Sequence, residues 1–151
     1  MVTRATIEDF LAQRSLALVG VSRDGKRGFG NAVRKDLGAK GYEIHLVHPD
    51  ADAIADQPCA RSLREVAGRV GGVILVTPPA ATEQLVREAA DAGIRRVWMQ
   101  QGAESAEAIR FCEQHGIAVV HRECVMMFAE PTGAFHGAHR WFRRVFRGLP
   151  H

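Results

Sequence analysis

The sequence predicts a doubly wound α/β fold, a mostly parallel five-stranded sheet with helices on both faces. Three observations carry that prediction. Short, nearly continuous apolar runs recur along the chain, as in strands covered on both faces. Between them lie segments with apolar residues three and four apart, the helical period. The connections are short, and strands joined through helices must run parallel with right-handed crossovers.

The elements follow in order. Ile7, Phe10 and Leu11 share one face of a short helix whose core is residues 6–13, and SLALVGV is the first strand. Residues 31–40 read as a helix, with Val33 and Leu37 four apart and Gly41 as its stop. YEIHLVHP is the second strand, DADAIADQPCARSL a loop, and SLREVAGRV a short helix with Ser62 as cap. GGVILVTPP, IRRVWMQQG and GIAVVHREC complete the strands. A helix over 82–92 ended by Gly93 and one over 105–115 capped by Ser105 and ended by Gly116 separate them. The result is a Rossmann-like domain over residues 1–130, followed by a 131–151 extension.

Composition narrows the function classes. The chain has 151 residues, enough for one core. No apolar run spans a bilayer and the polar N-terminus shows no secretion signal. Three cysteines, none in a CxxC pair, support neither a disulfide framework nor a zinc ribbon, and a reducing cytoplasm is the expected compartment. The net charge is +3, but Arg140, Arg143, Arg144 and Arg147 lie in the extension, leaving −1 on the first 130 residues. Nucleic acid is therefore not an expected partner.

The chemistry concentrates in LALVGVSRDGKRGFGNAV, residues 16–33. Ligands of doubly wound sheets bind beyond the carboxyl ends of the strands, where strand order reverses. There the amides of the first strand-to-helix turn and the positive end of the next helix form an anion site. Glycines allow close approach, and Lys26 and Arg27 add charge. A diphosphate is the natural ligand. The dinucleotide fingerprint is not met, because Ser22 stands at the second glycine position. The second strand ends LVHPD, with His48 and Pro49 at the tip where a NAD enzyme wants a carboxylate.

VGVSRDGKRGFGNAVRKDL, GYEIHLVHP, GGVILVTPP, RRVWMQQGAES and HGIAVVHREC together resemble the small stand-alone CoA-binding domain proteins. These are similar to the CoA-binding domain of the succinyl-CoA synthetase alpha subunit. The resemblance runs collinearly over residues 11–124 and implies coenzyme A or an acyl-CoA as ligand. It implies that Gly20, Val21, Ser22, Lys26, Arg27, Gly28 and Gly30 form the loop around the CoA diphosphate. His48 and Pro49 match the strand end beside the adenosine part. Thr77, Pro78 and Pro79 match the end along which nucleotide and pantetheine pass. Gln101 and Gly102 face the same crevice, and Cys124 lies near the reach of the thiol. Two departures stand out. The family often reads VNPK at the second strand end, where this chain reads VHPD: a lysine there meets the CoA 3′-phosphate, whereas Asp50 repels it, leaving Lys26, Arg27 or His48 to compensate. Val125 stands where the family often has proline. The synthetase's catalytic histidine lies in a second domain, so the resemblance implies a carrier, sensor or regulatory module with no ligase chemistry of its own.

Other chemistry is thinly represented. His45 and His48 fall on different strand faces, and His136 and His139 lack a third ligand, so no metal site is expected. His115 suits a helix end. Cys124 reads either as a small buried apolar residue or as a thiol able to form a mixed disulfide with CoA. In the extension the four arginines share one side of a helix while Phe135, Ala138, Phe142 and Val145 share the other. Such a helix packs on the domain or on a second subunit of a homo-oligomer, or binds a membrane surface, with nucleic acid ranked third because four arginines make a small electrostatic footprint. The alternatives to a CoA module are a NAD(P)- or other nucleotide-dependent enzyme using the same crevice, and an interaction protein acting through its basic tail.

Overall fold

The computed structural model describes residues 2–131. The basic amphipathic helix expected in the extension therefore falls, apart from Pro131, outside the described residues. The elements are α1 (Arg4–Leu11), β1 (Ser15–Val19), α2 (Phe29–Ala39), β2 (Glu43–Val47), β3 (Ala53–Ile54), β4 (Gln57–Ala60), a 3-10 turn (Leu63–Val66), β5 (Gly72–Leu75), α3 (Pro79–Asp91), β6 (Arg96–Met99), α4 (Ala106–Gln114), β7 (Ala118–Val120) and α5 (Val125–Phe128). No described helix is long and apolar enough to cross a membrane.

The α/β architecture is as expected, but the sheet has seven strands rather than five, in the order β3-β4-β2-β1-β5-β6-β7. The two additional strands form a hairpin in the segment read as a loop. β4 runs parallel to β2, and β3 antiparallel to β4. The hairpin turns through Ala55 and Asp56, both at positive φ (49° and 62°). Asn-Gly or Asp-Gly is the usual sequence signal for such a turn, and neither occurs here. The strands are also too short to display an alternation.

β1 sits at the centre, and its alternating side chains enter two different cores. Leu16 and Leu18 join Ile7 and Phe10 of α1, Val33 and Leu37 of α2, and Val125 and Phe128 of α5. Ala17 and Val19 join Val86 and Ala89 of α3, Ala108 and Cys112 of α4, and Leu63 and Val66 of the 3-10 turn. Burial on both faces explains why the strand reads as a continuous apolar run. Trp98 anchors the first core between Phe10 (centroids 5.3 Å apart) and Phe128 (6.1 Å), and its indole N–H donates to the Glu123 carbonyl at 2.9 Å.

Helix starts differ from expectation for local reasons. α1 runs from Arg4, two residues ahead of the core read in the sequence, because Thr3 caps it, its Oγ1 accepting from the Thr6 amide at 3.2 Å. α3 begins at Pro79, where a missing N–H costs nothing. Ser105 caps α4 as expected, accepting from the Ala108 amide. Ser62 makes no capping bond; the Leu63 amide donates instead to Glu88 Oε1 of α3 at 2.7 Å.

The topology fixes where a ligand can enter. From β1 the chain crosses to β2 on one side, then returns past β1 to β5 on the other. Strand order reverses between β1 and β5, so their carboxyl ends border the opening that such sheets use.

Candidate functional site

At this reversal lies a cleft of about 510 Å³. Its walls include Gly20 and Val21 after β1, His48 and Pro49 after β2, Thr77 and Pro78 after β5, and Ala81, Leu85 and Glu88 of α3. Three separate strand ends suggested by the sequence thus meet in one concavity. Arg61, after β4, also lines it. Sequence reasoning passed over Arg61 because it lies in the segment read as a loop.

Gly20 is where the backbones come closest. Its φ is +115°, and a Cβ there would overlap the Val76 carbonyl oxygen beyond β5. A Cβ on Gly30 would in turn overlap the Gly20 carbonyl oxygen, so these two glycines let α2 start directly against the end of β1. Gly28 differs. It is the N-cap of α2, it has φ +91°, and a Cβ there would meet nothing within 4 Å. Among the described residues no side chain caps α2. Its first-turn amides are the positive end of an 11-residue helix.

The loop leading to α2 is held by its own side chains. Asp24 Oδ1 accepts from the Lys26 amide (2.8 Å), the Arg27 amide (3.1 Å) and the Ser22 hydroxyl (2.7 Å). The Lys26 amide, then the Ser22 hydroxyl and the Arg27 amide, lower the Asp24 pKa to about 2. Buried Asn31 donates to the Arg27 carbonyl (2.7 Å) and the Ser22 hydroxyl (3.1 Å). Arg34 donates to Asn31 Oδ1 and to the Gly25 carbonyl. Gly25 packs on Ala55 of the β3–β4 turn. Two loop amides that the sequence offered to a phosphate are thus already engaged by Asp24, while the side chains of Lys26 and Arg27 face solvent.

At the second strand end the His48 ring turns back on its own chain, Nδ1 accepting from the Asp50 amide at 3.0 Å. Arg61 donates from Nη1 to the Pro49 carbonyl (2.9 Å), and from Nε and Nη2 to Asp52 Oδ1 (3.2 and 2.6 Å). At the third strand end the Thr77 and Thr82 hydroxyls lie 2.8 Å apart, with Pro79 opening α3.

A profile of the CoA binding domain family matches residues 14–130. The chain belongs to the CoA binding domain family. It is 26% identical over 126 residues to an ADP-forming acetate–CoA ligase from Archaeoglobus fulgidus, an alignment covering 75% of this chain but only 18% of that ligase. A conserved hypothetical protein from Pyrococcus furiosus has a similar structure, with 40% identity and a TM-score of 0.71, covering 75% of this chain and 97% of that one. A hypothetical protein from Pyrococcus horikoshii gives a TM-score of 0.75 at 28% identity, covering 83% and 88%.

In this CoA-binding domain the remaining predicted residues lie outside the cleft lining. Gln101 and Gly102 are exposed after β6; Gln101 donates to the Arg122 carbonyl at 3.3 Å, and the Gly102 amide to the Glu104 carboxylate. Cys124 is the N-cap residue of α5 and is partly buried. Its partner is Gln100 rather than Gln101: Gln100 Nε2 lies 3.4 Å from the Cys124 sulfur, and its Oε1 accepts from the Val125 amide at 2.7 Å. Gln100 is fully buried, a polar residue at a strand end that the sequence could have flagged. Cys112 is a core residue whose thiol burial pushes up to about 12.

Proposed function

We propose that this chain binds coenzyme A or an acyl-CoA, with the diphosphate at the mouth of α2 and the adenosine end in the cleft between β1, β2 and β5. The observation that carries this reading is the family match over residues 14–130. The geometry supports it in three ways. Among the described residues no side chain caps the start of α2, and Gly28 beside it is open, which suits an anion. The cleft has the size of small-molecule sites, which run roughly 300–1,000 Å³, and its walls are mostly apolar. Both meet at Gly20 and Val21.

Because Asp24 already engages the Lys26 and Arg27 amides, the diphosphate on this reading is received by Gly28 and the first turn of α2. Ser22 and Gly30 shape that turn, and the Lys26 and Arg27 side chains add charge. His48 and Pro49 border the adenosine, Thr77, Pro78 and Pro79 the path of the nucleotide, and Gln101, Gly102 and Cys124 the thiol end. Residues 1–130 form the binding domain and 131–151 a basic extension. The module acts as a cytoplasmic carrier, sensor or regulator without catalysis of its own.

Calorimetric titration with CoA tests this. The expected result is a saturable one-site isotherm that inorganic diphosphate competes away and that weakens with salt. No heat with either CoA or dephospho-CoA overturns the reading. Saturable NAD(P) binding that CoA does not compete with transfers the cleft to a nicotinamide cofactor.

A further inference from the structure

We propose that Arg61 reads the ribose 3′-phosphate of the ligand, in place of the lysine that this chain lacks after Pro49; this rests on the CoA reading above. Among the described residues lining the cleft Arg61 is the single lysine or arginine. It follows β4 and reaches the end of β2 through Pro49, where the adenosine ribose is expected. Its position is set from three sides. Its backbone amide donates to Glu65 Oε2 at 2.6 Å, Nη1 donates to the Pro49 carbonyl, and Nε and Nη2 both donate to Asp52 Oδ1. The bond to the Pro49 carbonyl holds the guanidinium at the rim whether or not Asp52 is bound, and with Asp52 displaced four of its five N–H donors are open to a ligand.

Asp52 acts as a stand-in for that ligand. Its side chain is 90% exposed, and it meets Arg61 through one oxygen. A phosphomonoester carries more charge than a carboxylate and offers three acceptor oxygens, and an arginine fork matches it well. The phosphate displaces Asp52, whose carboxylate turns into water at little cost. Asp50, exposed on the same turn, adds repulsion that Arg61 must offset. Lys26 and Arg27, by contrast, lie in the loop before α2 and outside the cleft lining.

The test compares dissociation constants for CoA and dephospho-CoA in the wild type, Arg61→Ala, Arg61→Lys and Asp52→Asn. The wild type is expected to prefer CoA by about 10- to 100-fold, the range for a charge-assisted pair. Arg61→Ala brings the ratio close to one with the dephospho-CoA affinity unchanged, which also reports that the cleft is intact. Arg61→Lys keeps part of the preference, and Asp52→Asn, which removes the competitor, enlarges it. Equal binding of both ligands by the wild type, or equal loss of both in Arg61→Ala, overturns the role of Arg61 while leaving CoA binding standing. A ratio that does not move in Asp52→Asn also overturns it. Binding of neither ligand by the wild type removes the CoA reading and this inference together.

Discussion

The loop before α2 and the rim after β2 and β4 each neutralise a cluster of donors with an internal carboxylate, and they do so differently. In the loop Asp24 Oδ1 takes two amides and a hydroxyl, and Asn31 and Arg34 brace the same turn from α2. At the rim an almost fully exposed Asp52 meets one guanidinium. The first arrangement is a framework. The second is an exposed pair, of the kind that contributes little to stability and exchanges readily. The basic glycine-rich loop is therefore chiefly the scaffold that delivers an open helix end, while the rim keeps a side chain available.

Four substitutions sharpen or break that contrast. The largest effect is expected for Gly20→Ala, which forces a Cβ into the Val76 carbonyl at φ +115°. A loss on the order of 3 kcal/mol or more, or failure to fold, is expected from strain and overpacking together. A urea midpoint close to the wild type would show that the β1 end is not closely packed. Gly28 has φ 91° and ψ 162°, a conformation nearly confined to glycine, but no clash, so Gly28→Ala is expected to cost about 1–3 kcal/mol in the same experiment.

Asp24→Asn comes next and is best read through pH. Asp24 titrates at about 2 in the folded chain, below the ordinary 3.8. A lowered carboxylate contributes stability that is present above its unfolded pKa and is lost as pH falls through the folded one. The wild type should therefore lose stability between about pH 4 and pH 2, with part of that slope absent in Asp24→Asn. Parallel acid profiles would mean that the loop amides do not depend on the charge. The smallest effect is Asp52→Asn without ligand, within about 0.5 kcal/mol of the wild type by urea unfolding. A larger loss would make the rim a framework like the loop.

Much of this was readable in the sequence, for physical reasons. Gly72–Leu75, the strand within GGVILVTPP, is buried on both faces, so its apolarity is continuous and hard to mistake. Gly20 and Gly30 mark a true backbone contact. The β3–β4 hairpin was not legible, because Ala55 and Asp56 adopt positive φ without a glycine and the pairing is only a few residues long. Arg61 was lost with it. The position of Asp24 was visible, but its two amide bonds depend on how the turn closes, which composition does not encode. Gln100 was overshadowed by its neighbour because strand ends alternate direction, and a shift of one residue separates the buried amide from the exposed one.

The most direct measurement is backbone amide NMR of the labelled protein titrated with CoA. The account predicts saturating shifts centred on Gly20, Val21, Gly28, Phe29 and Gly30, with further shifts at His48, Arg61 and Thr77 and smaller ones at Lys26 and Arg27. Perturbations confined to the far end of the sheet, around Glu43 and Arg96, or no perturbation at saturating ligand, would contradict it.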